Sequence, residues 1–223
     1  MSIFLRMDDT RMSSLMKGTA ILTIGLFLSK LLGLIYIFPF YAIVGEENIG
    51  LYQYAYIPYN IILSIAIAGF PVAVSKFVSK YNALGDYDAG RRLVKTGSLV
   101  MIVTGVLGFI LVNLLASPLA HITIADDEQR YTVEQVATVI RWVSYAILIV
   151  PAMSLIRGFM QGYGHFMPTS VSQLIEQIGR IIFLLGGSFI IVVVMKGDPM
   201  DAVNLAVFAA FIGAIFGIVV LYF

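Results

Sequence analysis

The sequence predicts an all-α polytopic membrane protein with six transmembrane helices, and three observations support this prediction. Hydrophobic residues make up 60% of the 223 residues and charged residues only 12%, about half the charged fraction of an ordinary soluble domain. Six apolar segments are long enough to cross a bilayer, which takes roughly 20 residues. Acidic and basic connections alternate between these segments, as expected for a chain that crosses a membrane repeatedly.

The six predicted spans follow a cytoplasmic N-terminal segment at 1–17 and cover residues 18–44, 51–75, 94–117, 134–157, 168–195 and 202–223. The first span is too long for the core of a signal peptide and no cleavage pattern follows it, so we expect it to be retained. The last span ends without a polar anchor, and we therefore expect further chain after it.

Charges in the connections predict the orientation of the spans. The acidic connections carry Glu46, Glu47, Asp126, Asp127, Glu128, Asp198 and Asp201. The N-terminal segment and the alternate connections carry Arg6, Arg11, Lys17, Lys76, Lys80, Arg91, Arg92, Lys95 and Arg157. Because basic connections remain on the cytoplasmic side, the pattern places the N-terminus in the cytoplasm.

Composition argues against several classes of function. The chain has no Cys, and its two histidines, His121 and His165, fall in predicted loops on opposite sides of the membrane, so we expect no metal site. No phosphate-binding loop, intramembrane Ser–His pair or basic, aromatic-rich patch is present in the sequence. We therefore predict no cofactor, no nucleic-acid partner and no enzymatic activity, and we interpret Asp126, Asp127 and Glu128 as a solvated loop. A scaffold without a cavity remains an alternative.

Three ionisable residues lie in the middle of predicted spans, where each costs about 2.5–3.5 kcal/mol on insertion scales. Lys30 lies roughly 20 Å and Arg180 roughly 18 Å from the cytoplasmic face at 1.5 Å per residue. Glu176 lies one helical turn closer to that face. Such residues are expected to face a polar cavity or one another.

A polar stripe follows one face of the fifth span, since Gln173, Glu176, Gln177 and Arg180 are spaced at helical intervals. Two interpretations are open. Glu176 and Arg180 form a self-neutralising structural pair at i and i+4, or they belong to a substrate or proton site. If they neutralise each other, Lys30 remains as net positive charge at mid-membrane, which favours an anionic ligand such as a phosphate.

The second span carries polar and aromatic residues near its start. Gln53, Tyr56 and Asn60 fall on one helical face, which lines the mouth of a cavity or belongs to an interfacial aromatic belt. Pro58 marks either a gating hinge or a static kink in the same span. Pro71 is interpreted as a helix-end residue.

Several short motifs together carry a family resemblance over the chain from about residue 13. They are Lys17–Thr19, Ser29–Gly33, Gly50–Tyr54, Gly69–Val78, Arg157–Gly162 and the polar stripe that runs from Pro168 to Arg180. Their order and spacing resemble the polysaccharide-biosynthesis and flippase branch of the multidrug/oligosaccharidyl-lipid/polysaccharide exporter superfamily. Within it, the chain is most similar to the lipid II flippase (MurJ-type) and stage V sporulation protein B group.

The resemblance implies one lobe of a two-lobe transporter whose second, C-terminal lobe is missing from this chain. It also implies transport of an undecaprenyl-pyrophosphate-linked sugar across the bacterial cytoplasmic membrane by alternating access. Lys30 stands where the family has a cavity arginine. Tyr36 and the Ile61–Ile62 region stand where Gram-negative members carry further arginines. Export of another lipid-linked polysaccharide, or cation-coupled export of drugs, remains an alternative.

Overall fold

The computed structural model describes residues 2–124 and 131–222, with side chains from residue 16 onward, so Asp126, Asp127 and Glu128 lie outside the described residues. The described residues form ten α-helices. They are α1 (Ser2–Ile35), α2 (Ile37–Val44), α3 (Glu46–Ile67), α4 (Phe70–Ala83), α5 (Tyr87–Leu114), α6 (Ala116–Ile124), α7 (Val133–Ser144), α8 (Val150–Gly162), α9 (Phe166–Phe189) and α10 (Pro199–Tyr222).

The helices combine into six membrane-length segments, which confirms the predicted fold class. These segments are Met16–Val44, Glu46–Ala83, Tyr87–Leu114, Val133–Gly162, Phe166–Val194 and Pro199–Tyr222. The first is broken at Tyr36 and the fourth by a 3₁₀ turn at Tyr145–Leu148. The fifth ends in a π-helical turn at Ile190–Val194. None of these irregular turns was predicted from the hydrophobic pattern.

Two predicted loops are helical in the structure. Lys76 and Lys80 lie on α4, and the basic residues Arg91, Arg92 and Lys95 lie on α5, so the predicted basic loop is largely the ends of two helices. With 22 residues, α3 is roughly 33 Å long and crosses the bilayer alone. His121, also assigned to a loop, lies on α6.

The prolines of the second segment differ in their surroundings. Pro58 is buried inside α3, which continues unbroken to Ile67. The chain turns instead at Gly69, which has the positive φ of 67° that glycine tolerates. Pro71 lies in the first turn of α4, which agrees with its interpretation as a helix-end residue.

Helix α9 lies between α1 and α10, and small residues allow both contacts. A Cβ at Gly25 of α1 would lie 2.8 Å from Cβ of Ser170, and a Cβ at Gly213 of α10 would lie 2.8 Å from the carbonyl oxygen of Glu176. Helices that approach this closely in lipid are stabilised by van der Waals contact. The close approach brings the polar stripe of α9 next to α1 and α8.

Candidate functional site

A cavity of about 450 Å³ opens between α1, α8 and α9 at mid-membrane depth. Six of its eight lining residues have polar side chains; the lining consists of Leu26, Ser29, Lys30, Gly33, Arg157, Gln173, Glu176 and Gln177. The structure therefore brings together three of the residues that the sequence singled out, Lys30, Gln173 and Glu176. We call Lys30, Arg157 and Glu176 the cavity cluster.

Lys30 is the exposed cation of this cluster. It lies at the centre of the first membrane-length segment, Met16–Val44, and its side chain is exposed in the cavity. The ion pairs of the described residues are Asp88–Arg91, Glu134–Arg141 and Glu176–Arg157, and none includes Lys30. An ammonium group at this depth needs water or an anion, because an unpaired charge in an apolar medium is strongly disfavoured.

Glu176 pairs with Arg157, so the interpretation of Glu176 and Arg180 as a self-neutralising pair is wrong. Arg157 Nη2 donates to Glu176 Oε2 at 2.7 Å, with the two side chains 12% and 26% exposed. The sequence placed Arg157 at the cytoplasmic boundary because the fourth span was expected to end there. Helix α8 continues to Gly162, which carries Arg157 into the membrane and within reach of α9.

A third residue fixes the position of Arg157. That residue is Ser172, whose Oγ accepts hydrogen bonds from Arg157 Nη2 at 2.8 Å and from Arg157 Nε at 3.3 Å. Ser172 Oγ in turn donates to the carbonyl oxygen of Gly217, at 2.7 Å. A Cβ at Gly217 would lie 3.2 Å from Arg157 Nη2, so the glycine leaves room for the guanidinium. These bonds connect α8, α9 and α10 below the cavity.

Arg180 lies outside the cavity lining and is surrounded by tyrosines. Its Nη2 donates to Tyr52 Oη at 3.1 Å and to Tyr56 Oη at 2.8 Å. Its guanidinium carbon lies 5.1 Å from the ring centre of Tyr56 and 6.0 Å from that of Tyr36. The hydroxyls of Tyr36 and Tyr52 are 2.7 Å apart. We call Arg180 with these three residues the tyrosine cluster; it joins α9 to α3 and to the break at Tyr36.

The other predicted site residues lie apart from the cavity. Gln53 and Asn60 are exposed on α3 and do not contribute to the lining, whereas Tyr56 of the same predicted face bonds to Arg180. Pro58 is buried in α3. Sequence reasoning missed Arg157 as a site residue, although one signal was present: the apolar run continues past Arg157 through Phe159 and Met160.

The charge balance at mid-membrane follows from these contacts. The cavity cluster and Arg180 contain three cations and one carboxylate, which leaves a net charge of +2. Glu176 neutralises Arg157, so the uncompensated charges belong to Lys30 and Arg180. Lys30 faces the cavity, whereas Arg180 is covered by tyrosine rings. The cavity therefore presents an environment suited to an anionic group.

Comparison with known proteins gives one matching family model, described as "Polysaccharide biosynthesis protein", over residues 15–223. Lipid II flippase MurJ of Bacillus subtilis (strain 168) is 49% identical over 211 residues, which are 94% of this chain and 39% of that protein. Stage V sporulation protein B of the same organism is 28% identical over 169 residues, which are 74% of this chain and 31% of that protein.

A solved structure has the same fold. It is a MOP superfamily transporter from Pyrococcus furiosus, with a TM-score of 0.70 and 14% identity, and the match covers 90% of this chain and 43% of the transporter. This chain spans about two fifths or less of the length of these curated relatives.

Proposed function

This chain belongs to the polysaccharide biosynthesis protein family, and we propose that it is the first lobe of a flippase for an undecaprenyl-pyrophosphate-linked sugar. The single observation that supports this most is Lys30, an exposed ammonium at mid-membrane depth in a polar cavity and without a carboxylate partner among the described residues. A pyrophosphate group supplies the negative charge that this position lacks.

Several cavity residues contribute to the binding of such a group. Lys30 binds the phosphate oxygens through its ammonium, and Arg157 adds a planar guanidinium that suits phosphate geometry. Gln173 and Gln177 of α9 also line the cavity and offer amide N–H donors. Gln53 and Asn60 remain predictions as substrate-binding residues at the mouth of a cavity, and Pro58 remains a prediction as a hinge. Arg180 contributes its charge to the field at this depth.

The substrate is proposed to be lipid II, the peptidoglycan precursor, because the relative at 49% identity is a lipid II flippase. Export of another lipid-linked polysaccharide is the second candidate. A cation-coupled drug exporter fits less well, because Glu176 is the carboxylate in the cavity lining and Arg157 already holds it. A cavity of about 450 Å³ also fits a transporter better than a scaffold.

The setting follows from the same proposal. We place the protein in the bacterial cytoplasmic membrane. The basic residues of α4 and of the start of α5 mark the cytoplasmic side under the positive-inside rule. Two membrane crossings separate them from the N-terminus, which is therefore placed in the cytoplasm as well. The second lobe completes the cavity and lies in the remainder of the protein.

Complementation tests this function. Cells depleted of their own lipid II flippase are supplied with the full-length protein, with its Lys30→Ala variant, or with residues 1–223 alone. We expect rescue by the wild type and loss of rescue by Lys30→Ala at equal membrane levels, because a hydrogen bond to a charged group contributes about 1.5–3 kcal/mol, or roughly 10- to 100-fold in affinity. We expect no rescue by residues 1–223.

The control is Lys80→Ala, which removes an exposed lysine from α4, outside the cavity lining. It should rescue like the wild type. Failure of the wild type at normal membrane levels would refute lipid II as the substrate. Full rescue by Lys30→Ala would refute Lys30 as the binding residue.

A further inference from the structure

We propose that Glu176 is an exchangeable counter-ion of Arg157. In this proposal the phosphate oxygens of a ligand replace the carboxylate on the guanidinium, and the released carboxylate takes a proton from water in the cavity. Binding of the anion is then coupled to uptake of one proton. The inference rests on the proposed function, since it takes a pyrophosphate group as the ligand, and it assigns Glu176 a role that a static ion pair does not have.

The geometry allows the exchange. Glu176 contacts Arg157 through one hydrogen bond of 2.7 Å, and both residues line the cavity from different helices. The side chain of Glu176 is the more exposed of the two, at 26% against 12%. A ligand that enters from the cavity therefore reaches the contact from its open side. No helix has to move before the carboxylate rotates away.

Arg157 remains in place when Glu176 leaves. Ser172 holds its Nε and Nη2, and Gly217 in turn accepts a hydrogen bond from Ser172. A guanidinium has five N–H donors, and the contacts seen in the described residues use Nε and Nη2. The donors on Nη1 are left for phosphate oxygens. Arg157 is thus oriented independently of the carboxylate that it neutralises.

The surroundings of Glu176 determine what happens to it after release. Lys30 on α1 and Arg157 on α8 are the cations that line its cavity, and both are engaged once the ligand binds. From α3, Tyr59 lies within electrostatic range of Glu176. On its own helix, Arg180 one turn further on is held by Tyr52 and Tyr56.

Helix α10 adds no charge near Glu176, because it presents Gly213 and Gly217 there. The released carboxylate therefore has no cationic partner among the described residues, and a negatively charged ligand lies beside it. A neighbouring like charge favours the protonated form of a carboxyl group. Water in the cavity supplies the proton. Because the proton adds one positive charge, the negative charge that the site gains is one unit smaller than the charge of the ligand.

Calorimetry of the purified full-length protein tests the coupling, with geranylgeranyl pyrophosphate as the probe. Titrations at one pH in buffers of different ionisation enthalpy count the protons taken up per probe bound. We expect the wild type to take up about one proton more than Glu176→Gln, whose amide cannot titrate. We also expect Glu176→Gln to bind the probe at least as tightly, because Arg157 has no carboxylate to release. Glu134→Gln, an exposed carboxyl paired with Arg141, should match the wild type.

Equal proton counts for the wild type and Glu176→Gln would overturn this inference and leave the proposed function standing. Absence of probe binding to the wild type would overturn both. If Glu176→Gln does not fold, the wild type alone decides. At a pH where the phosphates of the probe are already ionised, its buffer-dependent binding enthalpy should show net uptake of about one proton per probe bound, and zero net uptake would contradict the coupling.

Discussion

The cavity cluster and the tyrosine cluster place cations at a similar depth in the membrane but stabilise them differently. In the cavity cluster, a carboxylate from α9 neutralises Arg157, and Lys30 faces open space. In the tyrosine cluster, hydroxyl groups and ring faces surround Arg180 without a carboxylate among its described contacts. Two tyrosine hydroxyls accept hydrogen bonds from Arg180 Nη2, whereas its Nε is buried without a partner among the described residues. Cation–π contacts add about 0.5–2 kcal/mol each.

The difference separates binding from structure. A charge that is covered by rings on three sides holds its neighbours in position, and here those neighbours include the break at Tyr36 between α1 and α2. A charge that faces a cavity is available to a ligand. The comparison therefore assigns the anion to Lys30 and Arg157, and it assigns Arg180 mainly to fixing the break in the first membrane-length segment.

The largest expected effect on stability comes from Arg157→Ala. This change leaves Glu176 without its ion-pair partner, and breaking a buried pair from one side costs about 3–5 kcal/mol. Because Glu176 is partly exposed, we expect about 2–3 kcal/mol, measured as the free energy of unfolding of the full-length protein in mixed micelles.

The double variant Arg157→Ala/Glu176→Gln should recover more than half of that loss, since no uncompensated charge remains. Arg141→Ala provides the matched control, because it breaks an exposed pair with Glu134 and should cost only about 0–1 kcal/mol. Equal losses in the single and double variants would show that packing, and not charge, accounts for the effect.

Arg180→Gln is expected to cost about 1–3 kcal/mol of stability, because it removes two hydrogen bonds to tyrosine hydroxyls and the ring contacts. Its effect on the affinity for a polyprenyl pyrophosphate should be smaller than that of Lys30→Ala. Parallel unfolding and binding measurements on the two variants check this. The opposite order, with binding lost and stability kept, would make Arg180 a ligand residue.

The smallest effect is expected for Tyr52→Phe. The variant keeps the ring but loses the hydroxyl that bonds to Arg180 and Tyr36, which should cost about 0.5–1.5 kcal/mol in unfolding free energy. Tyr87→Phe changes an exposed tyrosine and should stay within about 0.5 kcal/mol of the wild type. A silent Tyr52→Phe would mean that the Tyr56 hydroxyl and the rings are enough to hold Arg180.

Much of the fold was predictable because it depends on the length and composition of apolar segments, which the sequence displays directly. The six membrane-length segments and the family resemblance are confirmed. The break at Tyr36 was missed although Pro39 lies three residues after it, where proline lacks the N–H that would bond to the carbonyl of Ile35 and its ring crowds that carbonyl. It coincides with contacts to residues from α3 and α9 that are distant in sequence.

The site was predicted in part for the same reason. Lys30, Gln173 and Glu176 were identified because polar residues in apolar helices are conspicuous. The partner of Glu176 was assigned wrongly because spacing on one helix suggested Arg180, whereas packing brought Arg157 from α8. The packing of the helices decides which of two nearby arginines a carboxylate contacts. The spacing of residues along one helix does not reveal how neighbouring helices pack.

Cysteine labelling tests the central claim, that the cavity around Lys30 is hydrated and binds a pyrophosphate group. Leu26 and Ile24 are neighbours on α1 with 44% and 58% exposure, but only Leu26 is among the cavity-lining residues. Single Leu26→Cys and Ile24→Cys variants of the full-length protein, in a background from which any other cysteine has been removed, are treated in membranes with a charged thiol reagent. We predict labelling of Leu26→Cys alone, protection by geranylgeranyl pyrophosphate, and loss of that protection when Lys30→Ala is added. Equal labelling at both positions, or protection that survives Lys30→Ala, would contradict the account.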